Sequence, residues 1–323
     1  GGHAAVRNRV SKKGVINRQH RGISAMAAEV DVYGRINLTL QNSDEAAGEE
    51  VELRNNASRL GVKGELELNT GLKTIYQLEF GVNIDGDSDQ DTFTHRNQFV
   101  GLEGAFGRIK AGRHDTALKE AQGDFDLFND LEGDITGAFN GENRLRNYIA
   151  YITPALAESL HITVNVFPGE EPEVGDNGVA DGTSISIDYE TDLVYLAVAH
   201  DEDLDGEGVN TSRLVGGYTL GDARIMLLYQ RTDAPFAEED GFGASLAWTF
   251  GKNTAKFQYL TADLWRTSLQ ADPLANRYEN MVSVGLDHEL GEDTKLFGFY
   301  TAGDIGGTGE SNRYLAIGIQ HNF

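Results

Sequence analysis

Read backwards from Phe323, the residues His321, Ile319, Ile317 and Leu315 fall on one side of an extended chain. Asn322, Gln320, Gly318, Ala316 and Tyr314 fall on the other. Successive side chains of a strand point to opposite faces, so this period of two describes a strand with one apolar and one polar or small face. The same pattern begins near the other end. Val30, Val32, Ile36, Leu38 and Leu40 alternate with Asp31, Tyr33, Arg35, Asn37 and Thr39. Leu60, Val62, Leu66 and Leu68 then oppose Arg59, Lys63, Glu65 and Glu67, and Thr74, Tyr76, Leu78, Phe80 and Val82 run beside Gln77, Glu79 and Asn83. A chain of such segments is all-β. It is either a soluble sandwich with water on the polar face, or a barrel with lipid outside and a wet lumen.

Mean hydropathy is -0.38 and 24% of the 323 residues are charged. No apolar run approaches the ~18 residues of a membrane helix, but a transmembrane strand needs only alternate apolar residues. Glycine is plentiful (39) and proline scarce (5), which suits many strands joined by tight turns. Cysteine is absent, so disulfides, thiol nucleophiles and thiolate metal sites are excluded. Short turns recur at Asn69–Gly71, Ala105–Gly107, Thr191-Asp192, Leu220–Asp222, Gly251–Asn253 and Gly291–Asp293. They alternate with longer acidic or glycine-rich stretches at 42–57, 84–94, 168–182, 201–211, 233–240, 263–277 and 303–311. Short turns at one end and long loops at the other are the asymmetry of outer-membrane barrels, and the spacing predicts about 16 strands. Trp248, Phe250, Tyr259, Phe297, Phe299 and Tyr300, near strand ends, are expected to supply the interfacial girdles.

Residues 1–27 carry Arg7, Arg9, Lys12, Lys13, Arg18 and Arg21 and no acid, so their net +6 leaves -30 of the overall -24 for the remainder. Ser24-Ala-Met-Ala27 resembles a signal-peptidase site, but the segment before it lacks the ~7–15-residue apolar stretch of a signal peptide. Residues 1–27 are therefore read as an unstructured leader remnant or tag, and 28–323 as the barrel. A nucleic-acid-binding arm is not expected, because the segment has no aromatics and the acidic body would repel DNA.

Several segments resemble the trimeric general-diffusion porins of Gram-negative bacteria, from about Val30 to Phe323. The resemblance is carried by Val32-Tyr-Gly-Arg35, Ser58-Arg-Leu-Gly-Val-Lys-Gly-Glu65, Arg96-Asn-Gln-Phe-Val-Gly-Leu-Glu-Gly104, Phe106-Gly-Arg-Ile-Lys-Ala-Gly-Arg113, Asn143-Arg-Leu-Arg-Asn-Tyr-Ile-Ala-Tyr151 and the terminal Phe323. His321 departs from the family, which more often has an aromatic residue there. The resemblance implies a 16-stranded antiparallel transmembrane β-barrel in the bacterial outer membrane, a homotrimer, with the third long loop folded inward. Its counterpart here, Asp115–Asn143, carries Asp124, Asp126, Asp130, Glu132 and Asp134. The resemblance also implies that loop 84–94 latches onto a neighbouring subunit. Arg35, Arg59, Arg96 and Arg144 match family positions that form a basic wall opposite that loop. Lys63 shares their polar face, with Lys110 and Arg146 as weaker candidates. Arginine stays charged at any working pH, and opposed acids and bases across a narrow gap create a transverse field that orders water and dipolar solutes.

The expected function is thus passive diffusion of ions and small hydrophilic solutes, with cation preference from the acidic body. The alternatives are a substrate-specific (for example oligosaccharide-selective) channel, for which Tyr33 and Tyr314 are the candidate lumen aromatics, and a non-conducting structural or adhesive barrel. Outer-membrane lipid and lipopolysaccharide are the expected surroundings. No resident cofactor is expected beyond calcium or magnesium held by loops. Asp201-Glu-Asp-Leu-Asp-Gly206 opens like a calcium loop, with Asp201, Asp203 and Asp205 at a spacing of two, but Ser212 replaces the bidentate glutamate. Asp85, Asp87, Asp89 and Asp91 form a second acidic string. Enzyme motifs are missing: there is no His-Glu-x-x-His, phosphate loop or Gly-x-Ser-x-Gly.

Overall fold

The computed structural model describes residues 29–68, 71–86, 92–169, 178–235, 237–263 and 278–323. The alternating segments form β1 (Glu29–Glu45), β2 (Gly48–Asn55), β3 (Arg59–Glu67), β4 (Lys73–Val82), β5 (Phe93–Gly104) and β6 (Gly107–Asp115). A short helix α1 (Ala117–Glu120) and a 3-10 turn (Ile135–Gly137) lie in the long connection that follows. Then come β7 (Arg144–Ile152), β8 (Leu160–Phe167), β9 (Gly182–Glu190), β10 (Val194–Glu202), β11 (Asn210–Leu220), β12 (Ala223–Ala234) and β13 (Ala237–Phe250). The last four are β14 (Asn253–Ala262), β15 (Tyr278–Glu289), β16 (Thr294–Ile305) and β17 (Ser311–Asn322). Each strand pairs antiparallel with its chain neighbours except that β2 and β3 both pair with β1 and not with each other, and β17 pairs with β1 from Arg35↔Asn322 to Asp44↔Arg313. That last pairing closes the sheet and removes its edges, as a chain in lipid requires.

The seventeen segments make sixteen staves, because β2 and β3 both pair with the same side of β1. Between them the register steps by one residue, from Arg35↔Arg59 to Leu38↔Asn55, a β-bulge at 56–58. Ala57 takes a positive φ of 50° there. The ladder is carried across the bulge by Asn56 N donating to Asn37 O (2.9 Å) and Asn37 N donating to Ser58 Oγ (3.0 Å).

The outer face is apolar. Val32, Leu40, Leu196, Val198, Leu227, Leu315 and Ile317 are exposed on it, and on β1 the alternate residues Asn37, Thr39, Gln41 and Ser43 are buried inside. The terminal ring of Phe323 lies over Gly34, with Gly34 N donating to Phe323 O (2.9 Å) and Phe323 N to Gly34 O (3.1 Å). Any Cβ on residue 34 would sit 2.3 Å from Phe323 Cζ, so glycine is required for that seat.

Several expectations are corrected. Stretches 42–57 and 233–240 are mostly strand: β1 and β2 turn over two residues, and β12 and β13 do likewise. Their acids sit on a hairpin whose backbone ladder continues past the apolar band, so charge there marks the rim rather than a loop. Phe297 and Phe299 do not join the outer girdle but are buried inside, while Trp248, Phe250 and Tyr300 are exposed on the outer face. The inward face is polar along β1 but substantially apolar from β10 to β16. Val215, Met226, Leu228, Leu260, Met281 and Phe299 there form one buried cluster with Leu118, Phe125, Phe128, Ile135 and Phe139 of the long loop. The lumen beside these strands is therefore filled by packed core. The expectations for residues 1–27, for Asp87, Asp89 and Asp91, and for 264–277 lie outside the described residues.

Candidate functional site in the barrel lumen

The connection 116–143 leaves β6 and lies against the inner wall. Thr116 caps α1 by accepting from Lys119 N, and Asn165 and Ser184 accept from Ala117 N (2.6 Å) and Leu118 N (3.1 Å). Farther along, Leu127 N donates to Gln258 Oε1 (2.8 Å), and Lys256 Nζ donates to Leu127 O (3.1 Å). Phe128 packs edge-on to Phe299 with centroids 6.3 Å apart. These contacts fasten the loop to β14 and β16 by polar bonds and by apolar burial worth roughly 1.5–3 kcal/mol per large side chain.

The loop's other side meets β1–β3. Asp130 is bound by both Arg35 and Arg59, the latter at 2.5 Å. Burial works to raise its pKa, but the Arg59, Arg35 and Arg96 guanidiniums more than offset this and hold it below the usual carboxylate range. Glu132 pairs with Arg54 at 2.7 Å and accepts from Gln41 (3.2 Å). Asp126 accepts from Phe128 N, Ile135 N and Gln258 Nε2. Burial and the neighbouring Asp134 push it well above the ordinary range. Asp134 caps the 3-10 turn through Thr136 N (2.8 Å) and accepts from Asp130 N (2.7 Å). Asp124 is exposed and 3.4 Å from Arg224.

The other wall candidates are placed differently. Arg96 pairs at 2.8 Å with Glu79, which also accepts from the Tyr33 hydroxyl (3.0 Å). Arg144 pairs at 3.0 Å with Asp115 at the loop's root, and Asn97 donates to the same carboxylate. Lys63 stands 5.3 Å over the Tyr33 ring, and Lys110 stands 4.9 Å over Phe99. Between loop and wall remains a gap of about 520 Å³, lined by Arg59, Arg96, Lys119 and Arg144 and by Asp115, Glu120, Asp126, Asp130 and Asp134. It thus brings together Arg59, Arg96 and Arg144 with three of the five loop acids singled out from sequence. Tyr314 is not in the gap: it is 3% exposed, its hydroxyl bonded to Glu45 and Tyr278, so it forms no ladder with Tyr33.

Asp201, Asp203 and Asp205 do not converge. Asp201 is buried on the inward face of β10, Asp203 accepts from Gly208 N (2.6 Å), and Asp205 accepts from Asn143 (2.9 Å). The described residues contain no group of three carboxylate or histidine ligands placed to hold a metal. The β10–β11 pairing continues through Glu202↔Asn210, which keeps Asp201 in the strand while Asp203 and Asp205 lie in the connection beyond it.

Two further contacts with the loop escaped sequence reasoning. Arg54 lies five positions before Arg59, so strict alternation puts it on the lipid side; the bulge turns it inward. Arg213 on β11 contacts Glu142 at 2.7 Å. The exposed Leu214 beside it was the available signal.

A closed barrel, apolar outside and holding a charge-lined gap in its lumen, has the architecture of a transmembrane pore. The chain belongs to the Gram-negative porin family, whose model matches residues 23–308, and it is accordingly an outer-membrane porin channel. The major outer membrane protein P.IB of Neisseria meningitidis serogroup B is 26% identical over 330 residues, covering 93% of this chain and 96% of that relative. Among solved structures, the anion-selective porin from Comamonas acidovorans superposes with a TM-score of 0.75 at 20% identity, over 92% of this chain and 100% of that one. The OmpT barrel of Vibrio cholerae, in a trimer form, gives 0.63 at 14% identity over 92% and 100%.

Proposed function

We propose that the protein is a passive, non-enzymatic diffusion channel for ions and small hydrophilic solutes, with the loop 116–143 as its constriction. The observation carrying this is the gap lined by Arg59, Arg96 and Arg144 of the wall and by Asp130 and Asp134 of the loop. Opposite charges across a narrow passage hold oriented water that dipolar solutes replace readily and apolar solutes must strip. Four basic and five acidic side chains line the gap, so the large negative charge of the whole chain is not concentrated at the narrowest point. The cation preference proposed here is weak. It is the small balance between the basic and acidic groups of the gap, Asp130 among them, supplemented by rim acids such as Asp44, Glu49 and Glu50, which are screened beyond ~8 Å at physiological salt.

In this reading the barrel functions as a homotrimer, as the family resemblance and the trimer form of the Vibrio relative suggest. Its apolar outer face meets lipid, and its acidic rim meets lipopolysaccharide through calcium or magnesium. The test is single-channel recording of the refolded protein in a planar bilayer under a potassium chloride gradient. Conductance in steps of three with a small cation-selective reversal potential is expected. Properly inserted barrels without conductance would refute the channel reading and leave the structural or adhesive alternative. Saturable block by sugars would replace general diffusion with a substrate-specific channel.

A further inference from the structure

Arg213 is 0% exposed and lies outside the lining of the gap. Its Nε and Nη2 donate to Gln230 Oε1 at 2.9 and 2.7 Å. Nη1 donates to Leu118 O (3.3 Å), and Nη2 also donates to Asn140 O (3.2 Å). Nη1 is 2.7 Å from Glu142 Oε1, and Gln230 Nε2 donates to Asn140 O (3.0 Å). One guanidinium on β11 therefore grips the loop just after it leaves β6, at Leu118, and just before it enters β7, at Asn140 and Glu142. A planar fork of donors can hold several acceptors at fixed angles, whereas an ammonium cannot reproduce that geometry.

We propose that Arg213 is a positioning residue of the pore: it staples both roots of the loop to β11–β12 and thereby fixes the width of a passage it does not touch. The proposal rests on the loop being the constriction. The simpler role for a buried arginine is to neutralise Glu142, since one partner of a buried pair left alone is costly while removal of both is far less so. The two roles separate in a double variant. Neutralisation predicts that Arg213→Met is rescued by Glu142→Gln. Stapling predicts no rescue, because the bonds to the carbonyls of Leu118 and Asn140 stay lost.

The experiment is single-channel recording of the full chain as R213M, R213K, R213M/E142Q and D130N, each first shown to be folded by heat-modifiable electrophoretic mobility. R213M is expected to lose the single sharp conductance level in favour of a broad range, R213K to regain it only in part, and the double variant to stay broad. A sharp wild-type level in R213M, or its return in the double variant, overturns the proposal. If R213M does not refold, R213K alone decides, because it keeps the positive charge beside Glu142 and loses the planar fork that reaches both Leu118 O and Asn140 O. A broad level supports the staple, and a sharp one overturns it. D130N separates the two readings: no change there removes the constriction itself and the staple with it, whereas a changed D130N beside a sharp R213M removes the staple alone.

Discussion

Asp130→Asn is the substitution in which the lumen electrostatics can be worked through. The side chain is 15% exposed and holds Arg35 and Arg59 together against the loop. Asparagine keeps the size and removes one negative charge, leaving two guanidiniums facing each other with no carboxylate between them. At about 4 Å in a water-like medium, one unit charge changes the energy of a passing monovalent ion by about 1 kcal/mol. That corresponds to roughly a fivefold change in local concentration, with opposite signs for cations and anions. The ratio of cation to anion permeability should therefore fall by about fivefold or more at 0.1 M salt, where the screening length is ~10 Å, and by less than about twofold at 1 M, where it is ~3 Å. Reversal potentials measured at both salt concentrations check this. An unchanged ratio at low salt, in a variant whose barrel is folded, would refute the assignment of Asp130 to the ion path.

Removing the loop's apolar foot by Phe128→Ala, fully buried against Phe299, should cost ~3–5 kcal/mol and lower the urea midpoint of unfolding. The latch at Asp130 should resist acid. Because its carboxyl is held below the usual range, its contribution is complete above the ordinary unfolded value of about 3.9 and is lost only as pH falls through the lower folded value. Glu120 in the same gap, pushed up to about 7 by burial, titrates between pH 7 and pH 5, so the readout is the difference in selectivity between wild type and D130N: it should be constant across that window, and a change in that difference would contradict the arginine pairing. Gly34→Val should unseat Phe323 and press on Arg59 O, 2.8 Å from an added Cβ, reducing the yield of the heat-modifiable folded band.

The wall was legible in the chain because lipid imposes period two on every stave, and Val32, Leu40, Ile317 and Phe323 obey it. Paired arginines and loop acids were legible as sets, but their partners were not. Arg96 meets Glu79 of the neighbouring stave instead of the loop, a contact created by the register shift between Leu78 and Phe80. Arg54 was hidden by the one-residue bulge, which reverses the parity of everything beyond it. The inner core was hidden for a different reason. Met226 and Leu228 sit on a strand whose outward Ile225, Leu227 and Tyr229 are apolar as well, and Leu260 follows the inward Lys256 and Gln258, so periodicity marks none of them as core until a loop is placed over that face. Phe297 and Phe299 were misassigned for the same cause.

The central claim is that solutes pass between the loop and the arginine wall, and that the lumen beside β10 to β16 is closed by packing. Since the chain has no cysteine, single thiols can be placed at will. Asn129 lines the gap, and Ser245 faces inward on β13 opposite Gln258 but is 4% exposed beneath the loop. A small charged thiosulfonate added to open channels should block current through Asn129→Cys within its mixing time and leave Ser245→Cys unmodified. Equally fast block at Ser245→Cys, or an inert Asn129→Cys, would place the path elsewhere.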